Sequence, residues 1–157
     1  MDLLKAENVQ DVSIVIDETE FNKIKDYTAA CYPREVSALL FGIFLNCKGF
    51  IREIIIVPNL SRSQNQFQIS TENKEKAVLK ANHPYFGVYH SHINDTEPSQ
   101  NDINEMKKLR NIWLIGSLNK NQNKITVFKL NAYCHNNNKL FNLKLEGNHA
   151  NNADTIA

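Results

Sequence analysis

The sequence predicts an α+β fold, in which a mixed β-sheet carries helices packed on it. Two observations favour this fold class. Segments with the two-residue alternation of strands are interleaved with segments of helical spacing, and several neighbouring strand segments are joined by hairpin-type turns. The length of 157 residues fits one domain. We therefore expect a single domain over residues 1–147, followed by a polar, disordered tail over residues 148–157.

The first half of the chain predicts a strand, a helix and then a hairpin of two strands. The ranges are 11–17, 18–32, 35–46 and 49–59. Pro33 ends the helix, because the residue before a proline is pushed out of the helical region. The turn sequence Asn-Cys-Lys-Gly joins the two hairpin strands. Gly42 indicates a bulge in the first of them.

The second half predicts two capped helices among four strands. The helices are 70–82 and 99–110, and the strands are 85–92, 112–118, 125–133 and 139–147. Ser70 and Ser99 are the expected N-caps, since a serine hydroxyl accepts a hydrogen bond from an N–H of the first helical turn. Basic residues end the second helix, as the helix dipole favours.

Composition excludes several classes of function. The hydrophobic fraction of 42% is globular, and the net charge of +1 gives no general attraction to nucleic acid or membranes. We expect no secretory signal, because the start of the chain has no basic region followed by a long apolar one, and the longest apolar runs are too short to cross a bilayer. We expect a cytoplasmic protein with reduced thiols, because Cys31, Cys47 and Cys134 are widely spaced and form no Cys-x-x-Cys motif.

His90 and His92 are the first candidates for chemistry. In a strand, side chains alternate between the two faces, so both imidazoles lie on one face, with Ser91 on the other. Residues two apart along a strand are about 7 Å apart, a separation from which two imidazoles can converge on one metal ion. The alternative is a chance pairing of two histidines.

Ser99 and Asp102 have two interpretations. Their spacing is that of a capping box, with serine at the N-cap and an acid in the first helical turn. The helix also follows the His-x-His strand after a six-residue loop, so Asp102 can turn back toward the end of that strand. Two histidines, one carboxylate and one water form the open tetrahedral arrangement of a catalytic zinc site. Glu35 is the candidate base for such a water, and the alternative is an exposed glutamate in a helix–strand turn.

Three segments together resemble a known family. "YPREVSALLFG", "GVYHSH" and "PSQND" are similar to the Glu, His-x-His and Ser-x-x-Asp pattern of the JAB/MPN+ (JAMM) metalloproteases. The resemblance covers roughly residues 11–131 and is strongest to the short prokaryotic members. It implies a curved mixed β-sheet with flanking helices. The chain departs from the family pattern in having Ile93 where proline is usual, and in a loop one residue shorter before Ser99.

The resemblance implies a zinc-dependent hydrolase of peptide or isopeptide bonds. His90, His92 and Asp102 would hold one Zn²⁺ per chain, Glu35 would activate a zinc-bound water, and Ser99 would donate a hydrogen bond to the oxyanion. The substrate would be the C-terminal tail of a ubiquitin-like or sulfur-carrier protein. The alternatives are an inactive MPN-type scaffold that binds partner proteins and a small hydrolase of non-protein substrates. The sequence does not predict an oligomeric state.

Overall fold

The computed structural model describes residues 9–60, 68–109, 111–120, 126–146 and 154–156. These ranges contain three α-helices: α1 Glu18–Cys31, α2 Thr71–Lys80 and α3 Gln100–Leu109. They also contain eight strands: β1 Ser13–Ile16, β2 Ser37–Leu45, β3 Lys48–Val57, β4 Tyr85–His92, β5 Ile112–Lys120, β6 Thr126–Asn136, β7 Lys139–Glu146 and β8 Asp154–Ile156. A short 3₁₀-helix at Val9–Asp11 precedes β1.

The strands form one mixed sheet in the order β5-β4-β2-β3-β1-β7-β6-β8. Strand β5 also pairs with β6, so seven strands close on themselves and β8 lies outside the ring. The pairs β1–β3, β1–β7 and β4–β5 are parallel, and the other pairs are antiparallel. The predicted α+β class, with a curved mixed sheet and flanking helices, is confirmed.

The hairpin of β2 and β3 follows the sequence prediction. Asn46 and Cys47 in the turn have φ angles of 50° and 63°, as a two-residue turn with two left-handed residues requires. The predicted bulge is present, because the pairing register shifts between Phe41 and Gly42. A Cβ on Gly42 would lie 1.9 Å from the carbonyl oxygen of Phe50, so the close approach of the two backbones requires glycine.

Two hydrophobic cores cover the two faces of the sheet. The larger one packs α1 against one face, where Phe21 meets Phe128 edge-on with ring centroids 5.7 Å apart. The second core lies on the opposite face and contains Val88, Met106 and Trp113. Side chains of β4 alternate between the two faces of the sheet. His90 and His92, two and four positions after Val88, therefore lie on the second face, beside α3.

The end of the chain departs from the sequence prediction. Strand β6 runs three residues beyond the predicted end, and a turn at Asn137 and Asn138, with φ angles of 49° and 62°, leads into β7. Strand β8 pairs antiparallel with the start of β6, within the segment expected to be a disordered tail. The pairing uses backbone N–H and C=O groups at the start of β6, which can bond to any extended segment beside them. Strand β8 therefore needs no apolar pattern to form. The rest of the predicted tail lies outside the described residues.

Two predictions drawn from composition concern membranes and thiols. Within the described ranges, none of the helices has the length and apolar character needed to cross a membrane. All three cysteines carry free thiols: Cys134 is buried, Cys31 is partly buried and Cys47 is exposed. Burial raises the pKa of the Cys134 thiol to about 12 and so keeps it protonated at neutral pH.

Candidate metal centre

Strand β4 brings two histidines to one face of the sheet. It is paired along its length, antiparallel with β2 and parallel with β5, so its side-chain directions are fixed. The rings of His90 and His92 are 4.6 Å apart between centroids. His90 is 1% exposed, and its ring meets Trp113 edge-on at 5.8 Å. The predicted placement of both imidazoles on one face is therefore observed.

Helix α3 supplies the carboxylate. The N–H of Asp102 donates to the Ser99 hydroxyl at 3.1 Å, and the N–H of Ser99 donates to Asp102 Oδ2 at 2.8 Å. These are the two bonds of a capping box. The same carboxylate reaches both histidines, with Oδ1 3.2 Å from His90 Nε2 and Oδ2 3.0 Å from His92 Nε2. Asp102 therefore takes part in the capping box and also approaches both histidines, so the two interpretations of the sequence are both correct.

The three side chains fit a divalent metal ion. Each offers one ligand atom, and these atoms lie within 4.8 Å of one another. In a tetrahedral zinc site with bonds of about 2.0–2.2 Å, neighbouring ligand atoms are roughly 3.4 Å apart, close to the 3.0 and 3.2 Å separations of the carboxylate oxygens from the imidazole nitrogens. Three protein ligands leave one tetrahedral position for water or substrate, which is the ligand count of a catalytic zinc site.

The protonation of this group also suits a metal. Burial of Asp102 would raise its pKa, but hydrogen bonds from His90 and His92 outweigh burial and hold the pKa well below its usual range. Burial lowers the pKa of His90, which favours the neutral imidazole that a metal binds. Burial also acts to lower the pKa of His92, but its hydrogen bond to Asp102 outweighs burial, so the pKa is raised. The raised pKa favours the protonated form of His92, so a metal ion would compete with a proton for this imidazole.

Glu35 lies in the turn between α1 and β2 and lines an open cleft of about 470 Å³ together with His92 and Ser99. Its Oε2 is buried and has no hydrogen-bond partner among the described residues. Burial, reinforced by the negative charge of Asp102 and opposed by His92, raises the pKa of Glu35 to about 7. The interpretation of Glu35 as an exposed turn residue is wrong, since the side chain is partly buried and lines the same cleft as the candidate ligand His92.

Two residues that the sequence interpretation missed hold the Glu35 backbone. Asn59 Nδ2 donates to the Glu35 carbonyl oxygen at 3.4 Å. The N–H of Val36, the next residue, donates to the hydroxyl of Ser91 at 2.8 Å. Strand alternation indicated that Ser91 points away from the histidines, but nothing in the sequence indicated which backbone it would meet. Asn59 carries no comparable signal.

Comparison with known families decides which family this arrangement represents. Residues 18–131 match the family described as prokaryotic homologs of the JAB domain. The chain belongs to this family. The match spans well over half of the sequence and includes all five predicted site residues: Glu35, His90, His92, Ser99 and Asp102. A search of the curated proteins found no significant match.

Solved structures support the JAB fold. A Desulfitobacterium hafniense protein, DSY2949, superposes with a TM-score of 0.68 at 16% identity, over 85% of this chain and 91% of that one. AF2198, a JAB1/MPN domain protein from Archaeoglobus fulgidus, superposes with a TM-score of 0.51 at 18% identity, over 87% of this chain and 100% of that one. At such identities these similarities establish the fold of a JAB domain and leave its chemistry to the site residues.

Proposed function

We propose that this JAB domain is a zinc-dependent hydrolase of peptide or isopeptide bonds. One observation carries the proposal. His90, His92 and Asp102 converge at metal-binding distances, and Glu35 presents a partly buried carboxylate with a raised pKa to the same cleft. A carboxylate of that kind beside a candidate metal site is the pairing that metal-assisted hydrolysis requires.

The ligand set determines what a metal would contribute. His90, His92 and Asp102 would hold one Zn²⁺ per chain, and zinc in such a site supplies Lewis acidity and lowers the pKa of water to about 7. The Asp102 carboxylate is oriented by the N–H of Ser99, and His90 is held by burial against Trp113. Fixed ligands of this kind bind metal without a large ordering cost.

Glu35 and Ser99 would perform the proton transfer and the hydrogen bonding. A pKa of about 7 lets Glu35 accept a proton from the attacking water near neutral pH and return it to the leaving amine. The Ser99 hydroxyl accepts the Asp102 N–H through its oxygen, and its own hydrogen remains to donate to the developing oxyanion. Loss of one such donor typically costs about 10²–10³ in rate.

The proposed substrate is the C-terminal tail of a ubiquitin-like or sulfur-carrier protein. The cleft beside Glu35 and His92 is open to solvent, and an open cleft suits the tail of a large partner better than an enclosed pocket would. Strand β4 is already paired with β2 and β5, so the tail cannot add to the histidine strand itself. We expect it to lie across the cleft, over the ends of β2 and β4.

The test is cleavage by the zinc-loaded protein of two substrate sets. One set joins ubiquitin-like or sulfur-carrier proteins through their C-terminal tails to a reporter, and the other consists of small amides. Cleavage of the first set, abolished by Glu35→Gln, is the expected result. Cleavage of small amides alone would support the hydrolase of non-protein substrates. Zinc binding without cleavage of either set would support the scaffold that binds partner proteins.

A further inference from the structure

The connection between His92 and Ser99 is fixed at its centre by one residue. Thr96 is 7% exposed, whereas its neighbours Asp95 and Glu97 are exposed. This connection joins two of the three candidate ligands, because His92 ends β4 and Ser99 caps the helix that carries Asp102. The position of Thr96 therefore bears on the distance between a strand ligand and a helix ligand.

Two residues of β6 hold Thr96. Asn131 Nδ2 donates to the Thr96 hydroxyl, and the Tyr133 hydroxyl donates to the Thr96 carbonyl oxygen at 2.8 Å. Asn131 and Tyr133 are two residues apart on one strand, so both face the side on which the histidines lie. The side chain and the backbone of Thr96 are thus fixed by separate bonds. The bond from Tyr133 is buried, and the bond from Asn131 is partly buried.

The sheet register shows that β5 lies between the strand of the histidines and the strand that holds Thr96. His90 on β4 is paired with Ile115 on β5, and Ile115 is paired with Asn131 on β6. The loop that leaves β4 after His92 therefore crosses β5 and is held on the strand beyond it. The held loop then enters α3, whose first turn carries Asp102. Thr96, Asn131 and Tyr133 are distinct from the three candidate ligands His90, His92 and Asp102.

We propose that Thr96, Asn131 and Tyr133 are positioning residues of the metal centre, which set its affinity and geometry by fixing the loop between His92 and α3. This proposal rests on the proposed zinc site. If the loop is already ordered in the metal-free protein, metal binding does not have to offset the conformational entropy lost in ordering it. Outer groups that orient metal ligands typically change metal affinity by about 10–100-fold, and an anchor acting through the loop belongs at the lower end, about 10-fold.

The experiment compares metal affinity with stability in matched variants. Thr96→Val keeps the shape of the side chain and removes the hydroxyl, while Thr96→Ser keeps the hydroxyl. The control is Thr28→Val, which removes another buried hydroxyl, one that bonds Ile24 and Tyr89 on the opposite face of the sheet. Zinc affinity is measured by competition with a chromogenic chelator, coordination by the absorption spectrum of the Co²⁺-substituted protein, and stability by thermal unfolding of the metal-free protein.

Thr96→Val is expected to bind zinc about 10-fold more weakly and to change the Co²⁺ spectrum, and Thr96→Ser to restore both. Thr28→Val should lose stability with unchanged affinity and spectrum. If Thr96→Val behaved like Thr28→Val, the role of Thr96 would be structural and the proposal overturned. If Thr96→Val does not fold, Tyr133→Phe removes the other anchoring bond and is judged by the same readouts. A wild-type protein that binds no zinc would overturn the proposed function together with this inference.

Discussion

Ser91 and Val36 are joined by two hydrogen bonds: the Ser91 N–H donates to the Val36 carbonyl oxygen at 3.0 Å, and the Val36 N–H donates to the Ser91 hydroxyl at 2.8 Å. Ser91 lies between His90 and His92 in the sequence, and Val36 directly follows Glu35. One strand therefore supplies two candidate metal ligands from one face, and from the other face it fixes the backbone beside the candidate base.

We expect Ser91→Ala to slow cleavage while leaving zinc bound. The substitution leaves the buried Val36 N–H without its acceptor, at a cost of about 1–3 kcal/mol in the free energy of unfolding. It also removes one of the hydrogen bonds that hold the segment carrying Glu35, while the backbone bond from the Ser91 N–H to Val36 remains. Ser91→Thr keeps the hydroxyl and should preserve the rate. The measurement is kcat with zinc content, at a temperature where both variants are folded. Undiminished kcat in Ser91→Ala would show that Glu35 is positioned without this bond.

Metal content tests the candidate centre directly. We expect about one zinc per chain in the wild-type protein by elemental analysis, and loss of that zinc in His92→Ala, because two protein ligands bind zinc much more weakly than three. His83→Ala is the matched control, since His83 pairs with Glu53 at the surface, outside the metal group. The control should retain its zinc. Equal zinc in the wild type and His92→Ala would place the metal elsewhere.

Local signals in the sequence account for most of the helices and strands, whereas the candidate site residues are selected by the resemblance to the JAB/MPN+ pattern. The Gly42 bulge, the caps at Ser70 and Ser99 and the strand that carries His90 and His92 all follow from chemistry within a few residues. Closure of the sheet by β5 and β6, the pairing of β8 and the contacts of Thr96 depend on partners distant in sequence. Patterns of periodicity specify a strand but not its neighbour, so these features required the structure.

Substitutions of Ser99 separate its two roles. Ser99→Ala removes both the cap and the hydroxyl donor, and should cost about 0.5–2 kcal/mol in the free energy of unfolding. Ser99→Gly should cost only a few tenths of a kcal/mol, because glycine is tolerated at the N-cap. Both variants lack the donor, so we expect kcat to fall about 10²–10³-fold in each. The measurements are thermal unfolding and kcat with zinc content held equal. A rate loss that followed stability, large in alanine and small in glycine, would assign Ser99 a capping role alone.

The raised pKa of Glu35 predicts a cost in stability that appears only at higher pH. The folded-state pKa of about 7 lies above the unfolded value of about 4.3, so between these pH values the folded protein binds more protons than the unfolded chain. The free energy of unfolding therefore falls as pH rises through this window, and the cost persists above it.

Glu35→Gln removes this ionisation. In metal-free protein we expect its unfolding midpoint to match the wild type near pH 4 and to exceed it at pH 8. Glu97→Gln is the control, because it makes the same substitution at an exposed residue of the same cleft, and it should not reproduce the gain. Equal midpoints of Glu35→Gln and the wild type at pH 8 would show that Glu35 is ionised without penalty and is not tuned to act as a base near neutral pH.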